Sequence, residues 1–225
     1  MEPEFWLERW RNGEIGFHQP VANPVLVDHW HRLALEPGST VFVPLCGKSL
    51  DMAWLADQGH RIVGVELSEL AIDEFFASQG LEPAAEHAGP LTVKRAGAYE
   101  LWCGDFFALP AAATADAAAV YDRASLIALP PELRVAYADH LTRRAKAAWA
   151  PILLISLEYD QTLADGPPHA VLRQEIDELF AARCDIEEIH RAAEAVGSPR
   201  LRAAGIERFE EAAYLLRPHG SAPTE

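Results

Sequence analysis

The chain has 225 residues, half of them apolar and about a quarter charged, which suits one sizeable α/β domain and is short for two independent ones. Its 34 acidic residues outnumber 19 lysines and arginines and give a formal net charge of −15. Such an acidic chain lacks the basic surface that binds a polyanion, which argues against a nucleic-acid partner or an anionic membrane.

The cysteines and the N-terminus indicate the compartment. Cys46, Cys103 and Cys184 are odd in number and far apart, which is neither a disulfide framework nor CxxC metal spacing. The first residues, "MEPEFW", lack the apolar segment of a signal peptide, and no apolar run is long enough to span a bilayer. We therefore expect a reduced cytoplasmic protein with no bound metal.

The first 37 residues are predicted to form a helical cover over the domain. In "EFWLERWRNGEIGFHQ" the apolar residues fall at near-helical spacing, and Asn12-Gly13 ends the helix. A second helical stretch spans residues 24–34 and is stopped by Pro37-Gly38.

From residue 38 onwards, predicted strands and helices alternate. The strands are short and apolar without strict polar alternation, which is typical of strands covered on both faces. They span Thr40–Leu45, Arg61–Glu66, Tyr99–Cys103, Ala118–Tyr121 and Ile152–Leu157. The helices span Leu50–Gln58, Ser68–Gln79, Pro131–Trp149 and Arg173–Arg183. This alternation predicts an α/β fold with a mostly parallel sheet and helices on both faces.

The C-terminal part follows another pattern. "CDIEEIHRAAEA" and "ERFEEAAYLLRP" have no helix-length crossover between them, which predicts an antiparallel hairpin joined by a loop at Val196–Gly205. Residues 82–90 are predicted to be a mobile surface loop, and residues 218–225 a flexible tail. We therefore expect one domain over residues 1–225, with its α/β core at 38–217.

The turn after the first strand, "VFVPLCGKSLDM", contains GKS and raises the question of a phosphate-binding loop. A Walker A motif would need glycine where Phe42 stands, so the GKS is incidental. The turn has one glycine, Gly47, and no GxGxxG fingerprint of a dinucleotide fold. One glycine lets the chain pass close to a ligand that carries no phosphate.

An acid at the end of the second strand points to a ribose. Glu66 follows Gly47 by 19 residues (66 − 47), and an acid at this place in nucleoside-binding sheets accepts hydrogen bonds from both ribose hydroxyls. S-adenosylmethionine has a ribose and no phosphate, so it fits a ribose site that lacks a phosphate-binding loop. NAD carries a pyrophosphate and fits such a site poorly. The alternative is an exposed acid at the start of the next helix.

The next two strand ends carry further candidates. Asp105 and Phe106 follow the third strand, where a ring face and a backbone amide suit adenine, and Asp122-Arg123 follow the fourth. Phe106 has the alternative of a core position. Arg123 has the alternative of a simple ion pair with Asp122 or Asp105.

These residues together resemble a known family. "EFWLERWRNGEIGFHQ", the segment from "VFVPLCGKSLDM" to "RIVGVELSELAIDEFF", "GDFFAL", "YDRASLIALPP" and "EYDQTLADGPPHAV" are similar to the thiopurine S-methyltransferases, particularly the bacterial members. The likeness covers nearly the whole chain and is weakest at 82–98 and 184–204. It implies a seven-stranded class I methyltransferase fold, S-adenosylmethionine as donor, and methyl transfer to aromatic and heterocyclic thiols.

The resemblance also implies roles for residues. The implied cofactor positions are Trp10, Leu45, Glu66 and Arg123, with Asp105 and Phe106 near the adenine. Phe17 matches a position at the junction of cofactor and acceptor. Some bacterial relatives are associated with selenium and tellurium methylation, so a metalloid species is a further acceptor class.

Methyl transfer from a sulfonium is a direct displacement, so the protein chiefly aligns donor and acceptor. An aromatic thiol ionises readily, and we expect no dedicated general base; Arg123 is the candidate for stabilising charge. The alternative function is a non-catalytic protein that binds S-adenosylmethionine or a nucleoside. We expect a monomer, because no exposed apolar seam is evident.

Overall fold

The computed structural model describes residues 3–142 and 150–219. Within these ranges the chain has seven α-helices and nine strands and forms two compact units. The first comprises residues 3–121, and the second residues 122–142 and 150–219. None of the helices in the described ranges is long and apolar enough to cross a membrane. The expectation of a single domain stays a prediction.

The first unit holds four helices and a sheet. The helices are α1 (Pro3–Asn12), α2 (Pro24–His29), α3 (Leu50–Asp57) and α4 (Glu69–Ser78). The strands are β1 (Thr40–Val43), β2 (Arg61–Glu66), β3 (Ala84–Ala88), β4 (Leu91–Ala96), β5 (Tyr99–Cys103) and β6 (Ala117–Arg123), which ends in the second unit. They lie in the order β3-β4-β5-β2-β1-β6. The β5-β2, β2-β1 and β1-β6 pairs are parallel.

The parallel strands form because their side chains are buried on both faces. All four residues of β1 are buried, as are the last five of β2. Helix α4 begins where the Ser68 hydroxyl accepts the Ala71 N–H group, which makes Ser68 its N-cap. Parallel pairing places the carboxyl ends of β1, β2 and β5 at the same edge, where open α/β sheets bind ligands.

The prediction of a loop at residues 82–90 is wrong. Strand β3 pairs with β4 in an antiparallel hairpin, with Ala84 opposite Arg95 and Ala88 opposite Leu91. The turn between them uses Gly89 at a φ of 64°. Because β3 is almost wholly exposed, its residues show no apolar pattern that would predict a strand. This hairpin raises the predicted seven strands to nine.

The second unit holds three helices and three more strands. They are α5 (Pro131–Thr142), β7 (Ile152–Glu158), α6 (Arg173–Phe180), β8 (Cys184–Ala195), α7 (Pro199–Ala203) and β9 (Arg208–Pro218). The order is β7-β9-β8, and both pairings are antiparallel. The predicted C-terminal hairpin is therefore confirmed, although its loop contains α7. The tail predicted for residues 218–225 begins too early, because Pro218 is the last residue of β9 and pairs with Cys184. The rest of that tail beyond residue 219 and the predicted end of the α5 helix at Trp149 lie outside the described residues.

A buried carboxylate joins three segments of the first unit. Asp51, in the first turn of α3, is 1 % exposed. It accepts the backbone N–H of Asn23 at 2.7 Å and the hydroxyl of Tyr121 at 2.9 Å. The carboxylate therefore connects the start of α2 and strand β6 to the helix that follows β1.

We expect Asp51→Ala to lower the free energy of unfolding by roughly 2–4 kcal/mol, because hydrogen bonds to a carboxylate contribute about 1.5–3 kcal/mol each. Urea unfolding measures this change. Asp57→Ala, at the exposed end of the same helix, is the control and should change the free energy by under about 0.5 kcal/mol. Equal effects of the two substitutions would contradict the role of Asp51.

Candidate active site

The turn after β1 has an unusual backbone. Strand β1 ends at Val43, two residues before the predicted end at Leu45, because Pro44 has no N–H group to donate. Leu45 has a φ of 44° and Gly47 a φ of 52°. The left-handed region costs a residue with a side chain about 1–2 kcal/mol, and such strain is concentrated at functional sites.

Glu66 holds this turn in place. It is the last residue of β2 and is 7 % exposed, so the alternative of an exposed acid is wrong. Oxygen Oε2 accepts the Gly47 N–H at 2.9 Å, and Oε1 accepts the Ser68 N–H at 2.8 Å. One carboxylate therefore fixes both the turn after β1 and the start of α4.

The Glu66 carboxyl group is buried but keeps unused hydrogen-bond acceptor capacity. Burial raises the pKa of its carboxyl group, and the backbone N–H groups of Ser68, Gly47 and Leu67 lower it to a smaller extent. A carboxylate accepts about four hydrogen bonds, so acceptor capacity remains beyond these backbone donors. Ribose hydroxyls that donate to it would favour its charged form.

An aromatic cluster lies against the same turn. The Trp10 ring is 6 % exposed, and a Cβ atom added to Gly47 would lie 3.0 Å from its Cζ2 atom. Phe17 packs edge-on against Trp10, with ring centroids 5.5 Å apart. The Lys48 ammonium lies 5.9 Å from the Trp10 ring centroid. The structure thus brings together Trp10, Phe17, the turn and Glu66.

One carboxylate and two aromatic side chains follow the carboxyl end of β5. Asp105 is exposed, and its side chain accepts the Phe107 N–H at 2.9 Å. The Phe106 ring is 4 % exposed and stacks on Phe42 at 6.5 Å between centroids. Phe107 is 40 % exposed and was not predicted as a site residue. The adenine-binding roles of Asp105 and Phe106 stay predictions.

Arg123 belongs to the second unit. It is the last residue of β6 and is partly buried. Its neighbour Asp122 is fully buried and accepts the Tyr137 hydroxyl at 2.7 Å and the Leu126 N–H at 3.2 Å. Burial raises the pKa of Asp122 to about 6. The role of Arg123 stays a prediction.

Neither metal binding nor thiol chemistry is indicated by the described residues. Residues 3–142 and 150–219 contain no group of three or more His, Cys, Asp or Glu arranged to hold a metal ion. The three cysteines are unpaired, and burial raises the pKa of each thiol. A raised pKa disfavours the reactive thiolate.

Comparison with known proteins identifies the family. The family model "Thiopurine S-methyltransferase" matches residues 1–219. A relative of that name from Pseudomonas fluorescens (strain SBW25) is 48 % identical over 217 residues, covering 96 % of this chain and 99 % of the relative. Another from Bordetella petrii is 43 % identical, with coverage of 98 % and 100 %.

The chain belongs to the thiopurine S-methyltransferase family. It is therefore an enzyme of the S-adenosylmethionine-dependent methyltransferase class, as predicted. A solved structure of an S-adenosylmethionine-dependent methyltransferase from Anabaena variabilis superposes with a TM-score of 0.64 at 14 % identity, covering 96 % of this chain and 95 % of that one. This likeness confirms the class I methyltransferase fold.

The raised pKa of Glu66 predicts a pH effect on stability. The Glu66 carboxyl group has a pKa of about 4.5 in the unfolded chain and a higher pKa in the folded protein. At a pH between these two values, the group is ionised in the unfolded state and still protonated in the folded state. Wild-type stability should therefore fall as pH rises through this window, by up to about 1.4 kcal/mol per pH unit relative to Glu66→Gln. Urea unfolding of both proteins from about pH 4 to pH 8 measures the difference.

Glu82→Gln, at an exposed acid, is the control. Parallel pH profiles for wild type and Glu66→Gln would refute the assignment.

Proposed function

We propose that this enzyme transfers the methyl group of S-adenosylmethionine to the sulfur of thiopurines and related aromatic or heterocyclic thiols. The observation that carries the proposal is the match of residues 1–219 to the family model. Relatives named for this reaction are 43–48 % identical to this chain, and the alignments cover 99–100 % of the relatives' length. The geometry of the first unit supports the same reaction.

The Glu66 site suits the nucleoside part of the donor. Its remaining acceptor capacity matches a ribose diol. The single glycine of the turn does not provide the several close backbone amides that a pyrophosphate requires. We infer that Glu66 binds the ribose and that the turn at Leu45 and Gly47 lies against an uncharged adenosyl group.

The aromatic cluster suits the charged part of the donor. S-adenosylmethionine supplies an electrophilic methyl group on a positively charged sulfonium sulfur. Tryptophan attracts cations to its ring face, and the Trp10 ring lies against the turn at Gly47, where an added Cβ atom would be 3.0 Å from it. We infer that Trp10 packs on the sulfonium region and that Phe17 borders the acceptor.

Alignment is the main task of the protein in a direct displacement. An aromatic thiol that ionises readily needs no dedicated base. Arg123 then stabilises negative charge, on the donor's carboxylate or on the acceptor, through charge-assisted hydrogen bonds.

The first test is turnover with a panel of acceptors. Purified enzyme with S-adenosylmethionine should form S-adenosylhomocysteine in the presence of mercaptopurine or benzenethiol, as measured by chromatography. Selenite and tellurite in the same panel test the metalloid acceptors. Donor binding in calorimetry without product from any acceptor would favour the alternative of a non-catalytic binding protein.

The second test concerns Arg123. Lysine keeps the charge but loses the planar fork of donors, so Arg123→Lys should lower kcat/KM by at least about tenfold, equivalent to about 1.4 kcal/mol. The melting temperature should stay unchanged. Arg61→Lys, at an exposed arginine, is the matched control. Unchanged kcat/KM in Arg123→Lys would remove this residue from the site.

We also propose that the enzyme acts as a monomer in the cytoplasm, on small molecules and without a nucleic-acid or membrane partner. The net charge of −15 supports the absence of a polyanionic partner. The three unpaired cysteines support a reducing compartment.

A further inference from the structure

A lysine lies beside the aromatic cluster of the first unit. Lys48 follows Gly47 in the turn after β1, and its ammonium lies 5.9 Å from the centroid of the Trp10 ring. The Lys48 side chain is only 22 % exposed, so salt and water screen its charge incompletely. Any positively charged ligand group that approaches the Trp10 ring therefore also approaches the charge of Lys48.

A carboxylate of α4 offsets the charge of this lysine. Glu74 Oε2 accepts the Lys48 ammonium at 2.7 Å, and the Glu74 side chain is 43 % exposed. The other two acids of the helix, Glu69 and Asp73, bind Lys94 of β4 at 2.8 Å and 2.5 Å. Glu74 is thus the acid through which α4 neutralises the lysine of the turn.

The ion pair is not what shapes the turn. Ion pairs that are partly exposed contribute little to folding stability. The carboxylate of Glu66 already joins the turn to the first turn of α4, because it accepts the backbone N–H groups of Gly47 and Ser68. The charges of Lys48 and Glu74 therefore matter mainly through what they do to a charged ligand.

The donor and the product of methyl transfer differ in charge at one atom. The sulfur of S-adenosylmethionine is a positively charged sulfonium. When the methyl group leaves, the electron pair of the broken bond stays on the sulfur, and S-adenosylhomocysteine has a neutral thioether. An uncompensated ammonium near that sulfur repels the donor but has little effect on the product.

Resting on the proposed contact between Trp10 and the sulfonium, we propose that Glu74 is a positioning residue that neutralises Lys48, and that this ion pair sets the preference of the enzyme for the charged donor over the neutral product. Specificity is a difference between two affinities, so only groups that interact differently with the two ligands can change it. The sulfonium charge supplies that difference. The consequence is that the product competes less with the donor for the site.

The test measures the affinities of both ligands by calorimetry. The ratio of the Kd of S-adenosylhomocysteine to that of S-adenosylmethionine reports the preference for the donor. Glu74→Gln leaves the lysine unpaired and should lower this ratio by about threefold. Lys48→Gln leaves the carboxylate unpaired and should raise it by about threefold. The double variant Lys48→Gln/Glu74→Gln removes both charges and should return the ratio close to that of wild type.

Two controls isolate the local charge. Glu86→Gln, at an exposed acid that pairs with Arg95 in the β3-β4 hairpin, changes the net charge as Glu74→Gln does and should leave the ratio unchanged. Raising the ionic strength to about 1 M shortens the screening length to about 3 Å. The shifts in the two single variants should then shrink, because they come from charge and not from packing.

The outcomes decide the inference. Ratios that stay at the wild-type value in both single variants, or that shift in the same direction, would overturn it. Equal losses of affinity for both ligands in Lys48→Gln would show that Lys48 binds a group that the two share, which overturns it equally. Should Glu74→Gln fold poorly, Lys48→Gln gives the same test with the opposite sign. The proposed function fails separately, if no thiol yields product, because these ratios come from binding alone.

Discussion

The carboxylate of Glu66 is the interaction on which the candidate site depends. It accepts the N–H of Gly47 at 2.9 Å and that of Ser68 at 2.8 Å, so it joins the turn after β1 to the first turn of α4. Parallel pairing of β1 and β2 is what brings these two segments within reach of one side chain. The group that shapes the turn still has hydrogen-bond acceptor capacity, so under the proposed function one residue would serve both the architecture and donor binding.

This arrangement is unfavourable in the unliganded protein. An acid is buried, which raises its pKa, and Leu45 adopts a left-handed backbone at a φ of 44°. The two features oppose folding, although the same carboxylate also joins the turn after β1 to α4. Under the proposed function both become useful, because the donor's ribose would supply hydroxyl groups to a carboxylate that needs no rearrangement. Strain of this kind is a physical sign of function.

The sequence was sufficient for the parts of the fold that depend on local pattern. Strands β1 and β2 were predictable from their apolar runs, and Glu66 from its position at a strand end. The β3 strand was not, because its exposed residues carry no apolar signal. The burial of Phe106 and the exposure of Phe107 were not predictable, because adjacent identical residues differ only in their tertiary packing. The Lys48–Trp10 contact depends on tertiary packing, which no spacing reveals.

The chemistry of methyl transfer explains why few residues carry the reaction. The sulfonium is reactive by itself, and the proposed aromatic thiol acceptor ionises readily, so under the proposed function the rate depends on alignment more than on acid–base catalysis. Specificity must then come from the surface that meets the acceptor.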